Sequence, residues 1–325
     1  MQEAADRGEN VIYDPRIEAR RGFMKQSAVI AATSIISAFS AREAMGAVDL
    51  NRMKPEEALE ALPDRFRLSN GEFVEGTKYP VNNPTQCAII LQTMHFENHE
   101  LEPLLHNLVV RNRAETGEMI VKLHEEFGID HFMQEGFTIE EETVKRIMEK
   151  RKRGEKVTAD DIAEIRKALA TIKYYREQRK KPFDANDEPR RIENMLKRYL
   201  PIGIYEKINN GELDIEVLAA EKTSTLYAAI EDSNDGDKLN DQRTVLLNRE
   251  QANLDIAHTR REDFSAFGDI WAPGHWNLEG APIPRTFHFR NQGNRGGKYC
   301  SIIYKMPAVA ERDRLVKEGK LDLRF

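Results

Sequence analysis

The sequence has few cysteines, and the two that it has stand far apart. Cys87 and Cys300 each lie in a short apolar run typical of a strand, and neither belongs to a C-x-x-C pair. That spacing excludes a zinc ribbon and a thioredoxin-like redox motif. Both cysteines are predicted to be small, buried core residues. A disulfide becomes permissible if the domain is exported, but the sequence does not show whether the two residues are neighbours.

Long apolar runs, a strong excess of one charge and several catalytic motifs are also missing. The formal net charge is −6, and basic runs such as 150–153 are surrounded by acidic residues, which argues against a nucleic-acid partner. No run reaches the roughly 20 apolar residues of a membrane helix, so no integral membrane span is predicted. A Gly-x-Ser-x-Gly elbow, a P-loop, a dinucleotide fingerprint and a His-Glu-x-x-His motif are absent.

The N-terminal segment has the features of an export signal. Arg20 and Arg21 are followed by Phe23, by Lys25 and by a weakly apolar stretch at 28–39 that is too short to cross a bilayer. This resembles a twin-arginine signal, which a receptor reads as an address. We predict a signal over residues 1–47, a periplasmic or extracellular location and a single α/β domain over 48–325. The alternative is an amphipathic first helix with a chance arginine pair.

Replacing both arginines with lysine (Arg20→Lys with Arg21→Lys) is expected to block export. A twin-arginine receptor recognises the guanidinium pair, and lysine keeps the charge but loses the planar fork. Cell fractionation would then find full-length precursor in the cytoplasm. Export at the wild-type level would disprove the signal.

The body of the chain alternates strand and helix patterns. The continuous apolar run at 86–94 predicts a strand covered on both faces, residues 101–127 predict an amphipathic helix that ends at Gly128, and 129–134 predict a second strand. This βαβ succession implies parallel pairing. Further predicted elements are strands at 214–219, 286–289 and 299–305, a helix at 244–258, an irregular loop at 270–284 and charged helices within 139–199. The predicted fold class is α/β, with a mixed, largely parallel sheet flanked by helices and a charged helical insertion at 139–199.

Polar residues follow the first two predicted strands, where open α/β sheets bind ligands. His95 follows the first strand and Glu135 follows the second. An imidazole and a carboxylate can share a metal, or one can help the other to activate water. His99 lies four residues after His95, the spacing of two metal ligands on a helix. The alternative for each histidine is a surface residue or a hydrogen-bonded core residue.

An arginine and two late histidines complete the set of candidates. Arg249 lies on an apolar helical stripe, where it requires a carboxylate such as Glu135 or Glu221 or a bound anion, unless it reaches water from the edge of the stripe. His275 stands in a loop near both tryptophans, and His288 lies in or at the end of a strand. Either histidine can complete a site with His95, and the sequence does not choose between them.

The order of these motifs resembles a superfamily that includes the TIKI proteases, the TraB proteins, the ChaN haem-binding lipoproteins and the erythromycin esterases. Residues 89–95 look like its first strand ending in His, 132–136 like its second strand ending in Glu-Gly, and 248–250 like its arginine helix. Residues 217–221 look like a mid-domain strand ending in Glu. The sequence departs from the pattern at Gln92, where the superfamily has glycine.

The resemblance implies a hydrolase-like enzyme of the cell envelope, acting as a peptidase or an esterase. His95 would be a base or metal ligand, Glu135 would orient it, share a metal or assist proton transfer, and Arg249 would hold a carboxylate or a developing negative charge. The resemblance also implies that His288 is a catalytic group and that His275 and Glu221 contact a cofactor. A divalent metal, if bound, would have His95, His99 and Glu135 as its ligands.

Two other functions remain open at this point. The ChaN members imply a binding protein for haem or another cofactor, and a third possibility is a partner-binding protein without catalysis on the same fold. The expected ligand is therefore a small molecule, a peptide or a tetrapyrrole. Association into a homo-oligomer is left open.

Overall fold

The strands form one mixed sheet whose central part is parallel. The structure, a computed structural model, describes residues 48–84, 86–94, 103–233, 269–271 and 299–321. Its strands are β1 (Arg65–Arg67), β2 (Phe73–Tyr79), β3 (Gln86–Gln92), β4 (His131–Thr138), β5 (Glu216–Glu221), β6 (Asp269–Trp271) and β7 (Tyr299–Lys305). Their order across the sheet is β1-β2-β7-β3-β6-β4-β5. The pairs from β7 to β5 are parallel, whereas β2 pairs antiparallel with β1 and with β7. The predicted α/β fold class is confirmed.

Helices connect and cover these strands. They are α1 (Pro55–Ala61), α2 (Pro103–Phe127), α3 (Ile139–Lys152), α4 (Ala159–Gln178), α5 (Glu188–Tyr199), α6 (Ile204–Asn209), α7 (Thr223–Ser233) and α8 (Pro307–Lys317). Thr138 and Thr158 begin α3 and α4 as N-caps, because each hydroxyl accepts a hydrogen bond from the backbone N–H three residues later. Within the described ranges, no helix is long and apolar enough to span a membrane.

The core lies on both faces of the sheet. Along β3, Ile89 and Leu91 belong to the main core, and Ile90 between them belongs to a smaller cluster on the opposite face. A strand that buries both faces needs apolar residues at successive positions, which is why the run at 86–92 lacks a polar alternation. The charged helices α3 to α5 also pack on the main core, through Val144, Ile172, Ile192 and other buried side chains.

The positions of β3 and β4 in the sheet differ from the simplest βαβ expectation. The two strands are parallel, as predicted, but β6 lies between them and pairs with both. Neighbouring strands are about 4.8 Å apart, so the axes of β3 and β4 are about 10 Å apart. The loop expected at 270–284 also begins differently, because Ile270 and Trp271 belong to β6. This three-residue strand forms by pairing on both sides and not by any local apolar pattern.

Several expectations concern residues outside the described part of the chain. These are the signal at 1–47, the helix at 244–258 and the strand at 286–289.

Candidate functional site

The carboxyl ends of the parallel strands meet at one edge of the sheet, where the sequence places the site. Glu135 and Glu221 are the two candidate residues that the structure describes, and they lie on the neighbouring strands β4 and β5. Glu221 is the last residue of β5, as predicted, whereas Glu135 lies inside β4, three residues before that strand ends at Thr138, because β4 continues beyond the predicted end at residue 134. The other candidates lie outside the described residues: His95, His99, Arg249, His275 and His288.

A β-bulge shapes β4 beside Glu135. Gln134 pairs with Ala219, and the next pair joins Thr138 to Glu221, so three residues of β4 lie opposite a single residue of β5. Gly136 stands inside this bulge with a φ of 79°, in the left-handed region that favours glycine. Bulges re-aim side chains and are common beside active sites. Here the irregular segment contains Glu135, the residue that the sequence singles out.

Both carboxylates at the bulge are buried. Glu135 is 7 % exposed, and Glu221 is fully buried. The Glu221 carboxylate accepts a hydrogen bond of 2.7 Å from the backbone N–H of Gly136, so it joins the end of β5 to the bulge of β4. A buried carboxylate costs free energy unless hydrogen bonds compensate for the lost water. This bond compensates part of that cost for Glu221 and fixes the position of its side chain.

The helices α3 and α7 begin directly after β4 and β5, and hydroxyl and carboxylate groups in their first turns form hydrogen bonds with one another. The Thr223 hydroxyl donates to Glu140 Oε2 at 2.7 Å, and the Thr223 backbone N–H donates to the same oxygen at 3.0 Å. The hydroxyl oxygens of Thr138 and Thr223 are 3.2 Å apart. Carboxylates are favourable at helix N-termini, where they meet the positive end of the helix dipole. The Glu140 carboxylate therefore already accepts a hydrogen bond from the Thr223 backbone N–H at the start of α7.

Glu141, in the first turn of α3, has a raised pKa. Its carboxylate accepts a hydrogen bond of 3.1 Å from Thr138 N–H. Burial nevertheless raises the pKa of Glu141 to about 7, although the Thr138 hydrogen bonds and the charge of Arg176 act in the opposite direction. A carboxyl group that titrates near neutral pH has the property required of a general acid or base.

The described donors do not by themselves make up a metal site. Among the residues placed by the structure, no three His, Cys, Asp or Glu side chains converge as a metal-binding group. Of the three predicted metal ligands, Glu135 lies in that part, and His95 and His99 do not. A metal bound by these three residues therefore stays a prediction.

A buried arginine that was not predicted from the sequence pairs with a carboxylate, and both charges act on Glu141. Arg176 in α4 makes two hydrogen bonds to Glu188 at the start of α5, from Nη1 at 2.5 Å and from Nη2 at 2.8 Å. The two side chains are 7 % and 0 % exposed. A signal was present, because Arg176 follows Ile172 by four residues and continues the apolar stripe of α4. This is the reasoning that selected Arg249, whose surroundings lie outside the described residues.

A second buried polar group lies where β3 and β7 end. The Asn112 carboxamide accepts a hydrogen bond of 2.9 Å from the backbone N–H of Met94, the residue before His95. Glu115 accepts one of 3.0 Å from Ala308 N–H at the start of α8, and it also pairs with Arg111. Burial raises the pKa of Glu115, although these partners oppose the shift. The burial of Asn112 and Glu115 was not predicted from the sequence, although these two residues interrupt the apolar stripe of α2 at helical spacing.

Comparison of the chain with known protein families, curated proteins and solved structures found no match.

Proposed function

We propose that this protein is a hydrolase-like enzyme whose active site lies at the carboxyl edge of the parallel strands. The observation that carries the proposal is that two buried carboxylates, Glu135 and Glu221, lie on neighbouring strands at a bulge. A carboxylate contributes no apolar packing to the core. Buried ionisable groups are concentrated in active sites because burial and neighbouring dipoles set their proton affinity.

In this proposal Glu135 is the general acid or base, the group that donates or accepts a proton during the reaction. Glu221 and the Gly136 N–H hold the bulge, and the bulge presents Glu135 to the substrate. His95, which comes three residues after β3 in the sequence, acts in this proposal as the base that activates water, and Arg249 stabilises the negative charge of the reacting carbonyl. His275 or His288 completes the group.

The proposal also places the enzyme in the cell envelope, through the twin-arginine pattern at Arg20 and Arg21. Export by this route carries a protein that has already folded. A catalytic site inside one folded α/β unit is compatible with such a route.

Replacing Glu135 with glutamine is expected to abolish activity and to leave the fold intact. Glutamine keeps the size and the hydrogen-bonding oxygen but cannot take up a proton, and loss of a general acid or base lowers a rate by about 10²- to 10⁴-fold. The assay measures hydrolysis of p-nitrophenyl acetate and of fluorescein-labelled casein by the full chain. The melting temperature should change by no more than about 2 °C.

The matched control is Glu216→Gln, at the opposite end of β5, where the side chain is 56 % exposed. This variant should keep both activity and stability. A large loss of stability in Glu135→Gln with unchanged hydrolysis would reassign Glu135 to the fold. A wild-type chain that hydrolyses neither substrate and instead shifts the Soret band of added haemin, at one haemin per chain, would replace the hydrolase with the haem-binding alternative.

A further inference from the structure

We propose that Cys87 and Cys300 are a disulfide-forming pair that joins β3 to β7 when the protein meets an oxidising thiol–disulfide environment. Both side chains are thiols in the structure. They are the two cysteines of the whole chain, and 212 residues separate them in the sequence. The proposal does not depend on the hydrolase function.

The register of the sheet brings the two cysteines together. β3 and β7 are parallel neighbours with seven successive residue pairs, from Gln86 opposite Tyr299 to Gln92 opposite Lys305. Within that ladder Cys87 stands directly opposite Cys300. Adjacent strands lie about 4.8 Å apart, which falls inside the range of roughly 4.4–6.8 Å between the Cα atoms of disulfide-linked cysteines.

The two side chains also lie on the same face of the sheet. Both belong to the main core, together with Ile89 two residues after Cys87 and Ile302 two residues after Cys300. Residues two apart share a face, whereas Ile90 and Ile303 belong to the cluster on the other face. The thiols therefore face the same part of the core, where the Cys300 S–H donates to the backbone oxygen of Pro55 at 3.4 Å.

Disulfide formation needs an oxidant, which a low-molecular-weight disulfide such as oxidised glutathione supplies. The thiolate of one cysteine attacks the glutathione disulfide, forms a mixed disulfide and releases one glutathione thiolate. The second cysteine thiolate then attacks the protein sulfur of that mixed disulfide and releases the second glutathione. Two protons leave the protein thiols, and the two electrons end in the two glutathione thiols.

Burial determines when this exchange takes place. Each cysteine is 1 % exposed, so a dissolved oxidant does not reach the sulfur atoms in the folded domain. The exchange occurs while β3 and β7 assemble or when the pair opens transiently. Once formed, the bond closes a loop of more than 200 residues, and long loops gain the most from closure in the chain-entropy account.

The pair lies away from the candidate active site. Cys87 is five residues from the carboxyl end of β3, a distance of about 16 Å along the strand. Cys300 is likewise five residues from the carboxyl end of β7, which is Lys305. Oxidation is therefore expected to change stability and to leave hydrolysis at the wild-type rate.

The test uses the full chain, unfolded in urea and refolded by dilution in a mixture of oxidised and reduced glutathione. The refolded protein is then denatured in urea in the presence of iodoacetamide, which labels the remaining thiols. It is digested without a reductant. We expect no labelled cysteine and a linked peptide pair that contains Cys87 and Cys300. The melting temperature of the refolded monomer should rise by about 5 °C and should return to its initial value with dithiothreitol.

The control is the double variant Cys87→Ala with Cys300→Ala, whose melting temperature should not respond to glutathione or dithiothreitol. The peptide map of the wild-type chain decides the question even if that variant folds poorly. Two labelled cysteines, a glutathione adduct on each cysteine or a linkage between two chains would overturn the proposal. None of these results bears on the hydrolase, because this test detects the linkage between the two cysteines, whereas the assay of Glu135→Gln measures hydrolysis.

Discussion

Replacement of Arg176 with alanine is expected to lower the free energy of unfolding by about 3–5 kcal/mol. The variant leaves the Glu188 carboxylate fully buried without its guanidinium partner, and breaking one side of a buried ion pair has this cost. Arg176→Lys should recover little of the loss, because an ammonium group cannot reproduce two parallel hydrogen bonds to one carboxylate. Urea unfolding followed by circular dichroism measures both variants.

The exposed ion pair between α3 and α4 is the matched control for Arg176. Arg146 and Glu164 form a contact of 2.7 Å with side chains that are 60 % and 54 % exposed. Arg146→Ala should lower the free energy of unfolding by no more than about 1 kcal/mol. The double variant Arg176→Met with Glu188→Leu should regain most of the stability, because it removes both charges. Equal effects of Arg146→Ala and Arg176→Ala would show that the Arg176 pair is solvated in solution.

Replacement of Glu141 with glutamine is expected to stabilise the protein above neutral pH and to have little effect at pH 4.5. Burial raises the pKa of Glu141 from 4.5 to about 7, so the folded state holds a proton that the unfolded state has released. Between these two pH values the stability contributed by the protonated carboxyl decreases as the pH rises. The total decrease is about 3 kcal/mol, and it is complete above the pKa of the folded state.

Glutamine is suited to this test because it resembles the protonated carboxyl group. Its amide oxygen can still accept from the Thr138 N–H at the start of α3, since glutamine also serves in a capping box. Thermal unfolding at pH 4.5 and pH 8 gives the difference between wild type and variant at each pH. Glu149→Gln on the same helix, with a side chain that is 44 % exposed, should give no such pH-dependent difference. A difference of the same size at both pH values would contradict the raised pKa.

These two tests concern groups that interact through charge at the same edge of the molecule. The charge of Arg176 lowers the pKa of Glu141, and the charge of Glu188 raises it. The insertion at 139–199 is thus more than a charged surface extension, because α4 and α5 supply a buried ion pair that acts on the pKa of Glu141 in α3.

The sequence was sufficient where local pattern and tertiary environment agree. The apolar run at 86–92 is a central strand because both faces of β3 are buried, and the stripe of α2 is a helix that packs one face on the sheet. The strand at 299–305 has the predicted bounds. Glu135 was selected by its position after a strand, but the structure places it, buried, inside β4, three residues before that strand ends at Thr138.

The positions of several other residues were decided by the tertiary structure. Asp269–Trp271 is too short to carry a periodic signal and becomes β6 by pairing with β3 and β4. The buried roles of Arg176, Asn112 and Glu115 depend on partners contributed by other elements. Each is a polar residue type that is common on protein surfaces, and its hydrogen-bond partner in another element makes its burial possible.

The sequence by itself determined the α/β class and the places of the main strands and helices, although β4 ends at Thr138 and not before Glu135. These follow from hydrophobic periodicity and turn residues, which act over a few positions. The tertiary structure decided which strands are neighbours. It placed β6 between β3 and β4, Glu221 against the bulge of β4, and Cys87 opposite Cys300. Strand order and register depend on contacts between residues far apart in the chain, and no local pattern encodes them.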